Sequence, residues 1–115
     1  MSEEPQDNSR NYFASAIIGT WVATDDPSNI LIFDGNVRQE SSDKGKSFDS
    51  EDYKINIACM NPSDMVGNPD IHAEARWISC EESDLCWEII EVSEVNLILS
   101  FAANGRNLNY TKLKK

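Results

Sequence analysis

The sequence lacks long apolar runs, a second histidine and closely spaced cysteines. No apolar run approaches the roughly 20 residues that a membrane-spanning helix requires, so we expect no transmembrane segment. A single histidine and three cysteines without a Cys-x-x-Cys pair do not match a zinc site. Ten basic against twenty acidic residues give a formal net charge of -10, which repels phosphate backbones. We therefore expect no metal, no other cofactor and no nucleic-acid partner.

The length and the polar N-terminus indicate one folded domain with a leader. At 115 residues the chain is long enough for a single modest core. Residues 1–11 carry no large apolar side chain after Met1, so they are predicted to be a disordered leader or tether ahead of a domain at 12–115. This leader has no apolar signal-peptide core. Because a polar leader of this kind remains after a signal sequence is removed, we expect an exported protein, periplasmic or lipid-anchored at the cell envelope.

Eight short segments have the composition and alternation of β-strands. They cover residues 17–24, 29–33, 37–40, 50–59, 71–80, 85–92, 95–101 and 107–113. Tyr12, Phe13 and Ala16 fall at helical spacing after Ser9 and predict a short helix before the first strand. Antiparallel strands lose their exposed edges only by closing, so the sequence predicts an all-β, eight-stranded antiparallel up-and-down barrel. A two-sheet sandwich is the alternative.

Three parts of the chain resemble the lipocalin-like domains of the calycin superfamily, which are common in exported bacterial proteins. They are the opening Gly19-Thr20-Trp21, the hairpin residues 31–36 and the closing strands of residues 88–92, 97–101 and 105–112. The resemblance spans residues 17–113. It implies that the tryptophan plugs one end of the barrel against a basic residue, Arg106 or Lys112, and we expect the plug to be Gly19, Trp21 and Arg106.

The resemblance also implies a small apolar ligand inside the barrel. The predicted cavity wall consists of Phe33, Tyr53, Ile55, Ile57, Ala73, Ala75, Trp77, Trp87, Leu97, Leu99 and Phe101. In this assignment the alanines of the fifth strand leave room beside Trp77. A second hypothesis is a filled barrel that acts as a protein–protein interaction module through the irregular loop of residues 60–70, where Met65 and Val66 stand among polar residues.

No residue pattern indicates catalysis. His72 shares the predicted outer face of its strand with Glu74 and Arg76. No nucleophile can be assigned to it, so we expect a protein that is not an enzyme. The acidic clusters do not match the spacing of a calcium-binding loop.

The cysteine positions allow a geometric prediction. In a meander, Cys59 and Cys80 would lie at opposite rims, roughly 30 Å apart at ~3.3 Å per residue, which is too far for a disulfide. Cys80 and Cys86 flank one tight connection. We therefore expect a disulfide between Cys80 and Cys86 in an exported protein, with Cys59 free and buried.

Overall fold

Short alternating segments of the chain form a nearly closed antiparallel barrel with one helix. The computed structural model describes residues 8–56, 59 and 75–113, with side chains described from residue 12 onward. The elements are α1 (Asn8–Ala16), β1 (Gly19–Ala23), β2 (Asp26–Asp34), β3 (Val37–Ser41), β4 (Asp49–Asp52), β5 (Lys54–Asn56), β6 (Trp77–Cys80), β7 (Leu85–Val92), β8 (Asn96–Phe101) and β9 (Asn107–Lys112). The helix includes residues 8–11, which the sequence had assigned to the leader.

The order of the strands confirms the predicted up-and-down barrel. Neighbours in the sheet follow the order β4-β3-β2-β1-β9-β8-β7-β6-β5, so β1 pairs with both β2 and β9. The two outermost strands, β4 and β5, are separated in the chain only by Tyr53, and together they form the predicted fourth strand with a bend in it. The Tyr53 amide donates to the Asn36 carbonyl at 3.0 Å, and its hydroxyl donates to the Gly35 carbonyl at 2.8 Å. These bonds hold the bend against the β2–β3 turn.

The helix covers the end of the barrel at which β1 begins, called the closed end below. Phe13 and Ile17 are buried in the core, and the Tyr12 hydroxyl donates to the Val92 carbonyl at 3.3 Å. The Arg76 guanidinium lies 4.8 Å from the centre of the Phe13 ring. The opposite end carries the turns after β1, β3, β6 and β8 and is called the open end. Only the closed end is therefore plugged by the helix.

Trp21 lies at the closed end, fully buried, and donates from Nε1 to the Ile17 carbonyl at 2.8 Å. The basic residue against it is Lys112, whose Nζ lies 4.7 Å from the ring centre; the expectation of Arg106 is wrong. The reason is the register of β1 and β9, which places Lys112 opposite Trp21 and leaves Arg106 in an exposed turn at the open end. Gly19, at φ +137°, leaves room for the lysine, because a Cβ there would lie 2.7 Å from the Lys112 Cε.

The inner face of the barrel is filled by a continuous apolar core. The buried cluster comprises Phe13, Ile17, Trp21, Leu31, Phe33, Tyr53, Ile78, Cys80, Trp87, Ile89, Val92, Leu97, Leu99 and Tyr110. Full burial of each large apolar side chain contributes about 1.5–3 kcal/mol. The predicted phase of the fifth strand is wrong by one residue: Ile78 faces the core opposite Trp87, and Trp77 is half-buried on the outer face. Trp77 and Ile78 are both large and apolar, so the sequence allows either of them to face the core. The pairing of β6 with β7 places Ile78 inside.

The disulfide joins Cys59 to Cys86, and the buried Cys80 keeps its thiol, so the predicted Cys80–Cys86 pair is wrong. Cys80 faces the core opposite Leu85, whereas Cys86 points to the other side of the sheet beside Ser79, so the two cysteines flank one turn but face opposite ways. The Cα of Cys59 lies 6.0 Å from that of Cys86, so Cys59 is on the outer-face side of β7.

We expect the Cys59–Cys86 disulfide to stabilise the fold by about 3 kcal/mol, because it cross-links residues separated by 27 positions in the unfolded chain. Urea unfolding of Cys59→Ala/Cys86→Ala against the oxidised parent measures this difference. Thiol counting in denaturant without reductant should find one thiol in the parent and none in Cys80→Ala. A peptide map that links Cys80 to Cys86 would contradict the assignment.

Candidate ligand site at the open end of the barrel

Charged side chains enter the barrel interior from β3. The β2–β3 hairpin pairs Phe33 with Arg38 and Leu31 with Glu40, which puts both charged residues on the core face. Arg38 is only 5% exposed, and its guanidinium carbon lies 4.2 Å from the centre of the Trp87 ring. The aromatic face thus compensates part of the cost of burying this cation.

Two carboxylates neutralise the buried guanidinium. Arg38 Nη2 donates to Glu40 Oε1 at 3.2 Å, and Nη1 forms an ion pair with Glu51 Oε2 at 3.8 Å. The second Glu40 oxygen accepts a hydrogen bond from Asn29 Nδ2 at 3.3 Å, and Glu51 accepts one from the Ser83 hydroxyl at 3.0 Å. The cluster therefore combines one cation with two anions, and its Glu40 carboxylate is held through both oxygens.

The Cys80 thiol borders this charged cluster and stays protonated near neutral pH. Burial raises the pKa of Cys80 to about 12, and the negative charge of Glu51 acts in the same direction. A thiol in this state is a poor nucleophile.

A cavity of about 240 Å³, called the mouth cavity, opens beside the cluster. It is lined by Ala23, Asp25, Asp26, Asn29, Glu40, Arg106, Asn107, Leu108, Asn109 and Tyr110. Tyr110 is 5% exposed, and in the described part of the chain its hydroxyl makes no hydrogen bond. Burial, followed by the charge of Glu40, raises the pKa of Tyr110 to about 12, so the phenol is neutral. The buried Oδ1 of Asn29 also has no hydrogen-bond partner among the residues that the structure describes.

A second cavity of about 380 Å³, called the side cavity, lies on the other side of Glu40. Its lining residues are Arg38, Glu40, Asp49, Ser50, Glu51, Glu82, Ser83 and Leu85. Arg38 Nε is buried there without a hydrogen-bond partner among the residues described. Glu40 is common to the two linings and faces solvent-accessible space on either side.

The loop between β3 and β4 borders the open end and is ordered by one aspartate. Asp43 accepts hydrogen bonds from the hydroxyls of Ser41 and Ser47 at 2.6 and 2.7 Å and from the Ser47 amide at 3.0 Å. These hydrogen bonds, chiefly the one from the Ser41 hydroxyl, lower the pKa of Asp43 to about 2. The rim next to the side cavity is therefore a defined turn.

The residues predicted as cavity walls divide into three groups. Phe33, Tyr53, Ile55, Trp87, Leu97, Leu99 and Phe101 face the interior, where they pack in or against the core. Trp77 lies on the outer face, and Ala75 is buried ahead of β6. Ile57 and Ala73, like His72 and the loop of residues 60–70, lie outside the described residues. None of the nine predicted wall residues that the structure describes lines the mouth cavity or the side cavity.

The polar cluster was missed from the sequence although β3 carries a signal for it. Residues 37–40 read Val-Arg-Gln-Glu, and placing the valine outward, opposite Asp34, turns both charged residues inward. Sequence reasoning that expects apolar residues inside does not choose this phase. The register follows from the hairpin turn, and the turn was correctly predicted from Asp34-Gly35-Asn36.

Among the described residues, no group of three or more His, Cys, Asp or Glu side chains is arranged to hold a metal ion. In the same part of the chain, no helix has the length and apolar character needed to cross a membrane. Comparisons with protein-family models, curated proteins and solved structures found no match. The resemblance to lipocalin-like domains thus stays a prediction, and function has to be inferred from the site.

Proposed function

We propose that this protein is a non-catalytic binding module that holds a small ligand in the mouth cavity. The observation that carries the proposal is Asn29 Oδ1, a buried acceptor in the lining of this cavity that has no hydrogen-bond partner among the described residues. Buried polar groups in proteins are almost always hydrogen-bonded, so an unpaired one lining a cavity is a natural contact for a ligand.

The lining of the mouth cavity suggests a ligand with an apolar part. Ala23 and Leu108 pack against the core and, with the Tyr110 ring, provide apolar surface beneath the polar groups. The volume of about 240 Å³ is at the small end for a ligand pocket. The proposal keeps the small ligand that the sequence suggested but locates it at the open end, since the predicted wall residues that face the interior pack in or against the core.

Export remains part of this proposal. A disulfide between Cys59 and Cys86 supports it, because structural disulfides persist mainly in oxidising compartments such as the periplasm and the cell exterior. The binding site would then face molecules outside the cytosol.

The test is a set of amide NMR titrations with three small aromatic probes, 2-phenylethylamine, 2-phenylethanol and phenylacetate. We expect at least one probe to cause saturable shifts centred on Ala23, Asn29 and Leu108. Ala23→Leu should weaken that binding about tenfold or more, because the larger side chain occupies the cavity. Val22→Leu is the matched control, since the neighbouring residue of β1 faces outward and should leave affinity unchanged.

The proposal fails if none of the three probes produces saturable shifts in a protein whose spectrum shows an intact fold. It fails equally if Ala23→Leu and Val22→Leu bind the probes as the parent does. Shifts centred on residues far from the open end would place binding elsewhere.

A further inference from the structure

We infer that the ligand of the mouth cavity is a small organic cation, a protonated amine with a short aliphatic or aromatic flank, whose ammonium group binds Glu40. This inference rests on the proposed function and names its ligand class. It is carried by three observations: the charge of the two cavities, the way Glu40 is held, and the unpaired hydroxyl of Tyr110.

The charges around the open end favour a cation. The mouth cavity is lined by the carboxylates of Asp25, Asp26 and Glu40 against the single guanidinium of Arg106. The side cavity has the same bias, with four carboxylates against Arg38. A concave site lined mainly by one sign of charge concentrates ligands of the opposite sign. An anionic ligand would be repelled by the negative potential of both cavities.

Glu40 is presented in a fixed orientation. Arg38 donates to one of its carboxylate oxygens at 3.2 Å, and Asn29 donates to the other at 3.3 Å. Because Arg38 is itself packed on Trp87 and paired with Glu51, it is not available to swing away. A carboxylate oxygen has further lone pairs, so an ammonium group can bind without displacing either donor.

Tyr110 supplies an independent indication of a ligand that donates hydrogen bonds. Its neutral hydroxyl has no hydrogen-bond partner in the described part of the chain, and Tyr110 lines the same cavity as Glu40. An ammonium group between the two would donate to the phenol oxygen and to the carboxylate. The buried Asn29 Oδ1 is another unpaired acceptor in this lining. Leu108 and Ala23, in the same lining, would contact the apolar flank of the ligand.

The probes are the same three compounds, which share a phenyl ring and a short arm and differ in charge. We expect 2-phenylethylamine to bind about tenfold more tightly than 2-phenylethanol, and phenylacetate to bind most weakly. Glu40→Gln should abolish the preference for the amine while the alcohol binds as before. Glu88→Gln is the matched control, because it removes the same charge from the outer face of β7. Tyr110→Phe should reduce amine affinity and leave the fold intact.

The outcomes separate this inference from the proposed function. Equal affinity for amine and alcohol would overturn the cationic ligand while the binding module stands. An amine preference that survives Glu40→Gln, or falls equally in Glu88→Gln, would also overturn it, since the effect would then come from overall charge. Absence of binding by all three probes would overturn both. Amide shifts of each variant report whether its fold is intact.

Discussion

Replacing Trp21 by alanine is expected to lower the free energy of unfolding by about 3–5 kcal/mol, the range for removing a fully buried aromatic side chain. Trp21 is 0% exposed, and its indole donates to the Ile17 carbonyl at the junction between the helix and β1. The alanine variant loses the buried apolar surface and leaves a cavity. It also leaves the Ile17 carbonyl and the Lys112 ammonium without the indole they contact.

A loss of this size is a large fraction of the ~5–15 kcal/mol that stabilises a typical domain. Urea unfolding monitored by circular dichroism measures it. Trp77→Ala is the matched control, because that tryptophan is half-buried on the outer face and should lose only about 1–2 kcal/mol. Equal losses in the two variants would contradict the placement of Trp21 inside the plugged end.

Replacing Arg38 by methionine is expected to destabilise the fold by about 3–5 kcal/mol, although methionine keeps much of the side-chain volume. Removal of the guanidinium leaves Glu51, whose side chain is 14% exposed, as an uncompensated charge. Glu40 also loses one of its two donors. The cost arises mainly from the buried carboxylate that remains, not from lost packing.

This explanation predicts a rescue. The double variant Arg38→Met/Glu51→Gln should recover at least half of the loss, because the buried negative charge is then removed as well. Lys54→Met is the matched control: its ion pair with Glu81 at 3.4 Å joins side chains that are 65% and 58% exposed, and such pairs contribute little. A double variant no more stable than Arg38→Met would refute the electrostatic account.

The fold was largely predictable because its signals are local. Strand alternation and the Asp34-Gly35-Asn36 turn identify neighbouring strands without any knowledge of distant contacts. The number and order of the strands then follow, since each predicted strand pairs with the next one in the chain. Within the described residues, a predicted strand is divided at Tyr53, where hydrogen bonds to the β2–β3 turn interrupt the ladder.

The candidate site was not predictable in the same way. Arg38, Glu40 and Glu51 were assigned no role, because a charged residue in a strand is expected on the outer face. Their inward placement is stable because residues of other strands and turns contact them: Trp87 packs on Arg38, and Asn29 and Ser83 donate hydrogen bonds to Glu40 and Glu51. No spacing in the sequence indicates those encounters. Seven of the predicted wall residues do face the interior, but they pack there in or against the core.

The sequence by itself determined the strands and the turns, because these depend on alternation and turn chemistry within a few residues; the pairing of β1 with β9, which favours the barrel over the sandwich, depends on the tertiary structure. Only the tertiary structure decided the partner of Cys86, the phase of β6, the lysine against Trp21 and the charged cluster below the open end. Each of these depends on register, and a shift of one residue exchanges the two faces of a strand. Side chains far apart in the chain select the register together, through the packing and ion pairs that they form across the barrel.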